Sequence, residues 1–228
     1  TPQGIPTKLA SINVAEGGKT YSSKDGVVYS ADGTTLLYCP AEKTSISFDK
    51  NTTTFGKYAF YKSKINSMEL PEKLESIGDA AFYSSSVKYL KFPDTVRKIG
   101  KNAFFNAAIQ SVSLNEGLET IGGYAFSAAH IGGITIPASV KSIGEWNFDY
   151  DYGTDKYIVI KGSDTTIGTS AIPSWYAVDV YAPSGSKAEE YVNNAKASGS
   201  SKLKFHPIDE FVAATELKIS DSSLTLSR

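Results

Sequence analysis

Apolar and polar residues alternate along this chain in short bursts that return in register. In residues 87–93, Leu90 and Phe92 alternate with Tyr89 and Lys91, the period-2 pattern of a half-buried strand. Steps of 22 residues align this segment with Ile46 and Phe48, Met68 and Leu70, Val112 and Leu114, and Ile134 and Ile136, which predicts two columns of inward side chains. Ile158 and Ile160 continue the columns after a longer step, and Val178 and Val180 follow. Leu74, Val96, Leu118 and Val140 supply a third. Between the strands an Ile-Gly-x-x-Ala-Phe motif keeps the same interval, at Ile77-Gly78 with Ala81-Phe82, Ile99-Gly100 with Ala103-Phe104, and Ile121-Gly122 with Ala125-Phe126. Flanking copies are weaker: Phe55-Gly56 with Ala59-Phe60, Ile143-Gly144 with Asn147-Phe148, and Ile167-Gly168 with Ala171-Ile172, the last arriving after 24 residues. Such self-similarity predicts a solenoid, whose units bury their apolar faces against one another.

The expected fold is a single curved, mainly β (α+β) solenoid of 22-residue repeats over residues 43–182, with one short strand and a compact helical or 3₁₀-like return per repeat. Pro71, Pro93 and Pro137 follow strands, where a missing donor helps end the ladder. The glycine of each Ile-Gly is expected to supply a positive φ. Phe60, Phe82, Phe104, Phe126 and Phe148 should stack along the axis near the strand spacing of about 4.8 Å. Residues 1–42 break the period and form the N-terminal cap, because residues 27–29 and 36–38 flank Asp32-Gly33 as a β-hairpin. Residues 183–207 form the C-terminal cap: Ser186 precedes a helix over 187–197 with Ala188, Tyr191, Val192 and Ala195 on one face, and residues 203–205 add a last strand. Residues 208–228 read as a linker followed by two short strands, carried by Leu217, Ile219, Leu224 and Leu226, with no core of their own.

Composition narrows the function. The chain of 228 residues balances 23 basic against 24 acidic side chains, so the electrostatic footprint of a nucleic-acid binder is missing. No apolar run approaches the roughly 20 residues that cross a bilayer, and the sequence opens on Thr1, as a processed secreted protein or an excised fragment would. The single cysteine, Cys39, excludes an internal disulfide and reads as a small apolar residue of the hairpin.

An apolar strand ending in Leu-Pro-like residues, followed by Leu/Val-x-x-Ile-Gly-x-x-Ala-Phe, resembles the BspA-type leucine-rich repeats of bacterial surface proteins over residues 43–182. Residues 25–29 and 37–41 look like the N-terminal hairpin beside such repeats, and residues 180–186 resemble their final turn before a helix. Residues 214–226 look like the opening strands of a bacterial immunoglobulin-like domain. Where many members carry cysteine three residues after the phenylalanine, this chain has Ser63, Ser85, Ala107 and Ala129, which keep the small size and lose the thiol. The resemblance implies an extracellular or surface-anchored, non-catalytic binding protein, with host extracellular-matrix or other cell-surface proteins as partners and no cofactor.

Candidate chemistry is sparse. His130 and His206 are the only histidines, and Glu189 and Glu190 fall on the capping helix, so no acid-base or zinc constellation assembles. The exception to uniformity is residues 146–157, where Trp146, Asp149, Tyr150, Asp151, Tyr152, Asp155 and Tyr157 crowd the stretch that gains two residues. Three aspartates at loop spacing raise calcium, but an EF-hand register needs glycine at Thr154 and glutamate at Ile160, and no metal is assigned. Tyrosines instead suit a ligand-contact loop, for a protein or a glycan. The outward strand positions, Ser45, Ser47, Ser67, Glu69, Tyr89, Lys91, Ser111, Ser113, Gly133, Thr135, Tyr157 and Val159, should form one continuous concave sheet, with Tyr89 and Lys91 as its prominent contact residues.

Overall fold

Each turn of the coil feeds two parallel ladders. The computed structural model describes residues 4–15, 17–148, 157–199 and 201–211. On the face read from the alternation, Tyr89–Lys91 pairs with Ser111–Ser113, and Gly133–Ile136, Tyr157–Ile160, Val178–Ala182 and Leu203–Pro207 pair in that order. The second ladder lies at the Ile-Gly steps, where Thr54–Phe55, Ser76–Ile77, Lys98–Ile99, Thr120–Ile121, Ser142–Ile143 and Thr166–Ile167 succeed one another. One strand per repeat was the expectation. The second arises because the glycine amide donates to a carbonyl one coil back: Gly100 to Ile77 at 2.7 Å, and Gly122 to Ile99 and Gly144 to Ile121 at 2.8 Å.

The return is a chain of tight turns in place of the helical segment. Ala59, Tyr61 and Ser63 each donate to the carbonyl three residues back. The positive φ angles also differ from the expectation. They fall on Ala80 and Ser84, Asn102 and Asn106, and Tyr124 and Ala128, two and six residues beyond each glycine, while the repeat glycines themselves avoid that region. The glycines are required for closeness. A β-carbon at Gly78, Gly100, Gly122, Gly144 or Gly168 would stand 2.3–2.7 Å from backbone of the preceding coil.

The three apolar columns and the isoleucines of the motif meet inside the coil, joined by a buried column at Ile65, Val87 and Ile109. Phe60 and Phe82 stack at 4.6 Å, Phe82 and Phe104 at 5.1 Å, Phe104 and Phe126 at 5.3 Å, and Phe126 and Phe148 at 6.1 Å, with interplanar angles of 13° or less. Their amides form a rail through the core: Phe60, Phe82 and Phe104 donate to Ala81, Ala103 and Ala125 carbonyls. At the next step Asn147 replaces alanine, and its side chain takes over the rail. Its Oδ1 accepts from Phe126 N–H at 3.3 Å, and its Nδ2 donates to the Gly122 carbonyl at 2.6 Å. Asn147→Ala should therefore take the side-chain partner from the buried Phe126 N–H and the part-buried Gly122 carbonyl and cost about 1–3 kcal/mol, measurable as a lower urea midpoint with unchanged slope. The rail ends at the capping helix, where the Tyr191 hydroxyl accepts from Ile172 N–H at 3.2 Å and donates to its carbonyl at 3.0 Å.

Hydroxyls cross-link the outer turns in the same spirit. Thr95, Ser139 and Thr165 donate to the carbonyls of Leu74, Leu118 and Val140, one coil back. Gly117 interrupts the series, and Asn115 Nδ2 reaches the Val96 carbonyl at 2.9 Å in its place.

Both ends are closed by elements outside the period. Val27–Ser30 and Thr35–Tyr38 form the antiparallel hairpin, with Tyr21–Lys24 added on its outer side, and Thr35–Tyr38 passes the ladder on to Thr54–Phe55. Cys39 lies fully buried beneath it, and burial pushes its thiol up from 9.0 to about 12. Between those values the unfolded chain has lost a proton that the folded chain keeps, so stability falls as pH rises above 9. The expected slope is about 1.4 kcal/mol per pH unit. Urea titrations at pH 8 and pH 10 should show it, and Cys39→Ala should remove the part that starts near 9, leaving the loss that starts near 10, where burial raises the Tyr29 phenol to about 12. At the other end, helix Lys187–Ala197 is capped by Ser186 and buries Ala188 and Val192. Residues 208–211 take one helical turn where the sequence reads as linker. The two tail strands and the immunoglobulin-like resemblance fall on residues 212–228, outside the described residues.

Candidate functional site

The strand face carries the described candidate residues that point to solvent. Alternation turns Tyr89 and Lys91 outward while Leu90 is buried between them. Tyr89 is 56% exposed, the largest value among the exposed large apolar side chains of the described residues, and its hydroxyl donates to Gln110 Oε1 at 2.5 Å. That bond fixes the ring across the repeat boundary, so little rotamer entropy remains to be lost on contact. Ser67, Glu69, Tyr89, Lys91, Ser111 and Ser113 border an open groove of about 640 Å³.

The face is not the continuous sheet expected. Ser47 N–H donates to Asp25 of the hairpin, so the first repeat contributes no strand there, and Ser67 reaches Tyr89 only through a single bridge. Among the described residues no backbone hydrogen bond joins Ser111–Ser113 to Gly133–Ile136. Val112 is half-exposed at this seam, whereas its neighbours in the column, Leu90 and Ile134, are buried. Tyr157 lies across the far side of the seam, its ring 2.3 Å from where a Gly133 β-carbon would stand. Lys161 and Glu116 pair at 2.7 Å and span it. Val159, expected outward and open, is 2% exposed.

Trp146 belongs to another surface. It sits in the return turn with φ of 51°, its ring 5.8 Å from Trp175, which is 40% exposed. The structure therefore separates Trp146 from Tyr89, Lys91 and Tyr157. Asp149, Tyr150, Asp151, Tyr152 and Asp155 lie outside the described residues, and with them the question of calcium. Among the described residues no group of three His, Cys, Asp or Glu side chains could hold a metal ion. The partly open apolar gap beneath Tyr157, lined by Phe126, Phe148 and Ile158, measures about 30 Å³, well short of the roughly 300 Å³ at which small-molecule sites begin.

Sequence reasoning missed the cluster at the last repeats. Asp179, Tyr181 and His206 occupy outward positions of the final two strands, and His206 Nε2 lies 2.9 Å from Asp179 and Nδ1 3.2 Å from Glu210. Tyr181 stacks on the imidazole at 4.9 Å, and its phenol is raised by burial and by the Asp179 and Glu210 charges. Carrying the outward columns past Tyr157 and Val159 would have found Asp179 and Tyr181.

Comparison with known proteins places this architecture. Residues 35–155, over half of the chain, match six copies of the BspA type leucine rich repeat region. No curated protein matches. Among solved structures, the pneumococcal vaccine antigen PcpA aligns with 87% of this chain at 22% identity and a TM-score of 0.49. A leucine-rich repeat protein from Bacteroides ovatus aligns with 75% of it at 17% identity and a TM-score of 0.39. This chain spans 50% of the PcpA chain and 63% of the other. With six copies of the family repeat matched over more than half of its length, the chain belongs to the BspA-type leucine-rich repeat family.

Proposed function

We propose that this chain is a non-catalytic binding module of a bacterial extracellular or cell-surface protein, and that it recognises a protein partner through its strand face. The observation that carries the reading is the pre-positioned Tyr89, 56% exposed beside Lys91 over an open groove. An open, hydroxyl-bordered surface with one fixed aromatic suits a macromolecular face, because enclosed concave pockets are what small ligands need. Host extracellular-matrix proteins and other cell-surface proteins are the partner classes the family suggests.

Surface plasmon resonance against a panel of extracellular-matrix proteins tests this. Tyr89→Ala with Lys91→Ala should weaken binding about thirtyfold, corresponding to about 2 kcal/mol for a central aromatic anchor and its charged neighbour. Undiminished binding by the double variant would place the contact elsewhere. A second reading, an accessory glycan-binding domain of a larger surface enzyme, draws on half-buried Trp146 packed against exposed Trp175. It predicts glycan-array signals lost on Trp146→Ala. A structural spacer would give signals in neither assay.

A further inference from the structure

The strand face ends on an occupied site. Beyond Pro207 the chain turns back, and residues 208–211 lay Phe211 onto the outward side chains of two repeats, 5.2 Å from the Tyr157 ring and 5.1 Å from Tyr181. Glu210 reaches His206 at 3.2 Å on one side of the imidazole while Asp179 holds the other at 2.9 Å. Val159, between the two tyrosines in the ladder, is 2% exposed although its strand position faces outward. A floor of apolar side chain, two aromatic walls and an imidazole at the rim thus receive one phenylalanine and one carboxylate. The Phe211 ring on two tyrosines and a half-exposed His–Glu contact hold this single helical turn to the face.

We propose that Tyr157, Val159, Tyr181 and His206 form a docking site for a partner segment bearing an aromatic side chain next to a carboxylate, and that Glu210 and Phe211 keep it filled in the free protein. The proposal deepens the strand-face reading by naming the chemistry this end accepts. Its logic is competitive. A segment tethered in cis by a few residues acts at an effective concentration on the order of millimolar, so a free peptide of the same chemistry competes only weakly until the tether residue is removed. A site occupied in cis about nine-tenths of the time lowers apparent affinity about tenfold.

The test uses the full chain and the peptide acetyl-Ile-Asp-Glu-Phe-amide, with NMR shifts of Tyr157 and Tyr181 as readout. Saturable shifts are expected in Phe211→Ala, at least tenfold weaker apparent binding in the wild type, and none for the peptide with alanine in place of phenylalanine. Adding Tyr181→Ala to Phe211→Ala should abolish the shifts, and Trp175 fluorescence melts control for folding. Absence of saturable shifts in a folded Phe211→Ala, or equal affinity for wild type and variant, overturns the proposal. Neither outcome touches Tyr89 and Lys91, whose matrix-protein assay stands or falls separately.

Discussion

Replacing Gly144 with alanine should wedge two coils apart. The new β-carbon would stand 2.3 Å from Gly123 N and 2.6 Å from the Gly122 carbonyl carbon, both backbone atoms of the preceding coil with no rotamer by which to yield. Relief requires lifting one coil off the next, which lengthens the 2.8 Å bond from Gly144 N–H to the Ile121 carbonyl and disturbs Asn147, whose Nδ2 bonds both Gly122 and Gly144 carbonyls. Overpacking against rigid surroundings costs about 1–3 kcal/mol and occasionally more, and the loss of ladder geometry puts this case at about 3 kcal/mol. The control is Ala128→Gly. Ala128 has φ of 57°, so removing its β-carbon relieves a left-handed penalty of about 1 kcal/mol, and the protein should become equal or more stable. Urea titrations of both variants test close approach as the role of the repeat glycine: since Gly144 does not adopt a positive φ, a harmless Gly144→Ala would mean that the coils yield to the added β-carbon and would overturn that role.

This glycine shows how far the sequence could be read. Its recurrence located every coil boundary, yet the same residue serves positive φ and close approach equally well, and only the neighbouring coil decides. The residues that do adopt left-handed geometry, among them Ala80, Asn102, Tyr124 and Trp146, share no side-chain chemistry, so the turn left no compositional trace. The register of Leu90, Phe92 and the phenylalanine stack was legible because a long apolar period survives any local irregularity. The second ladder was not, since a two-residue strand has no alternation to detect. On the candidate surface, alternation correctly turned Tyr89 and Lys91 outward. It concealed the seam at Val112, because the strands on both sides keep the same pattern, and it concealed Phe211 on Tyr157 and Tyr181, a contact between segments outside the period.

Phe104→Ala should be among the most costly single truncations. Its ring is fully buried and stacks on two others, Phe82 at 5.1 Å and Phe126 at 5.3 Å, with Phe92 tilted against it at 6.2 Å. Deleting it removes the transfer free energy of the ring and leaves a cavity between coils whose backbone rails hold them in place, for about 3–5 kcal/mol. Phe148 occupies the same column but is half-buried and stacks on Phe126 alone among the described phenylalanines, at 6.1 Å. Its truncation should cost less than half as much. In a nearest-neighbour array the central deletion weakens two interfaces at once, so the coils on either side should lose cooperativity with each other. Amide exchange is the deciding measurement. Gly78, Gly100, Gly122 and Gly144 N–H groups should exchange at one common rate in the wild type, and Phe104→Ala should split them into faster groups flanking the lesion. A uniform acceleration of all four would mean that the solenoid opens as a single unit, and the nearest-neighbour account of its stability would fail.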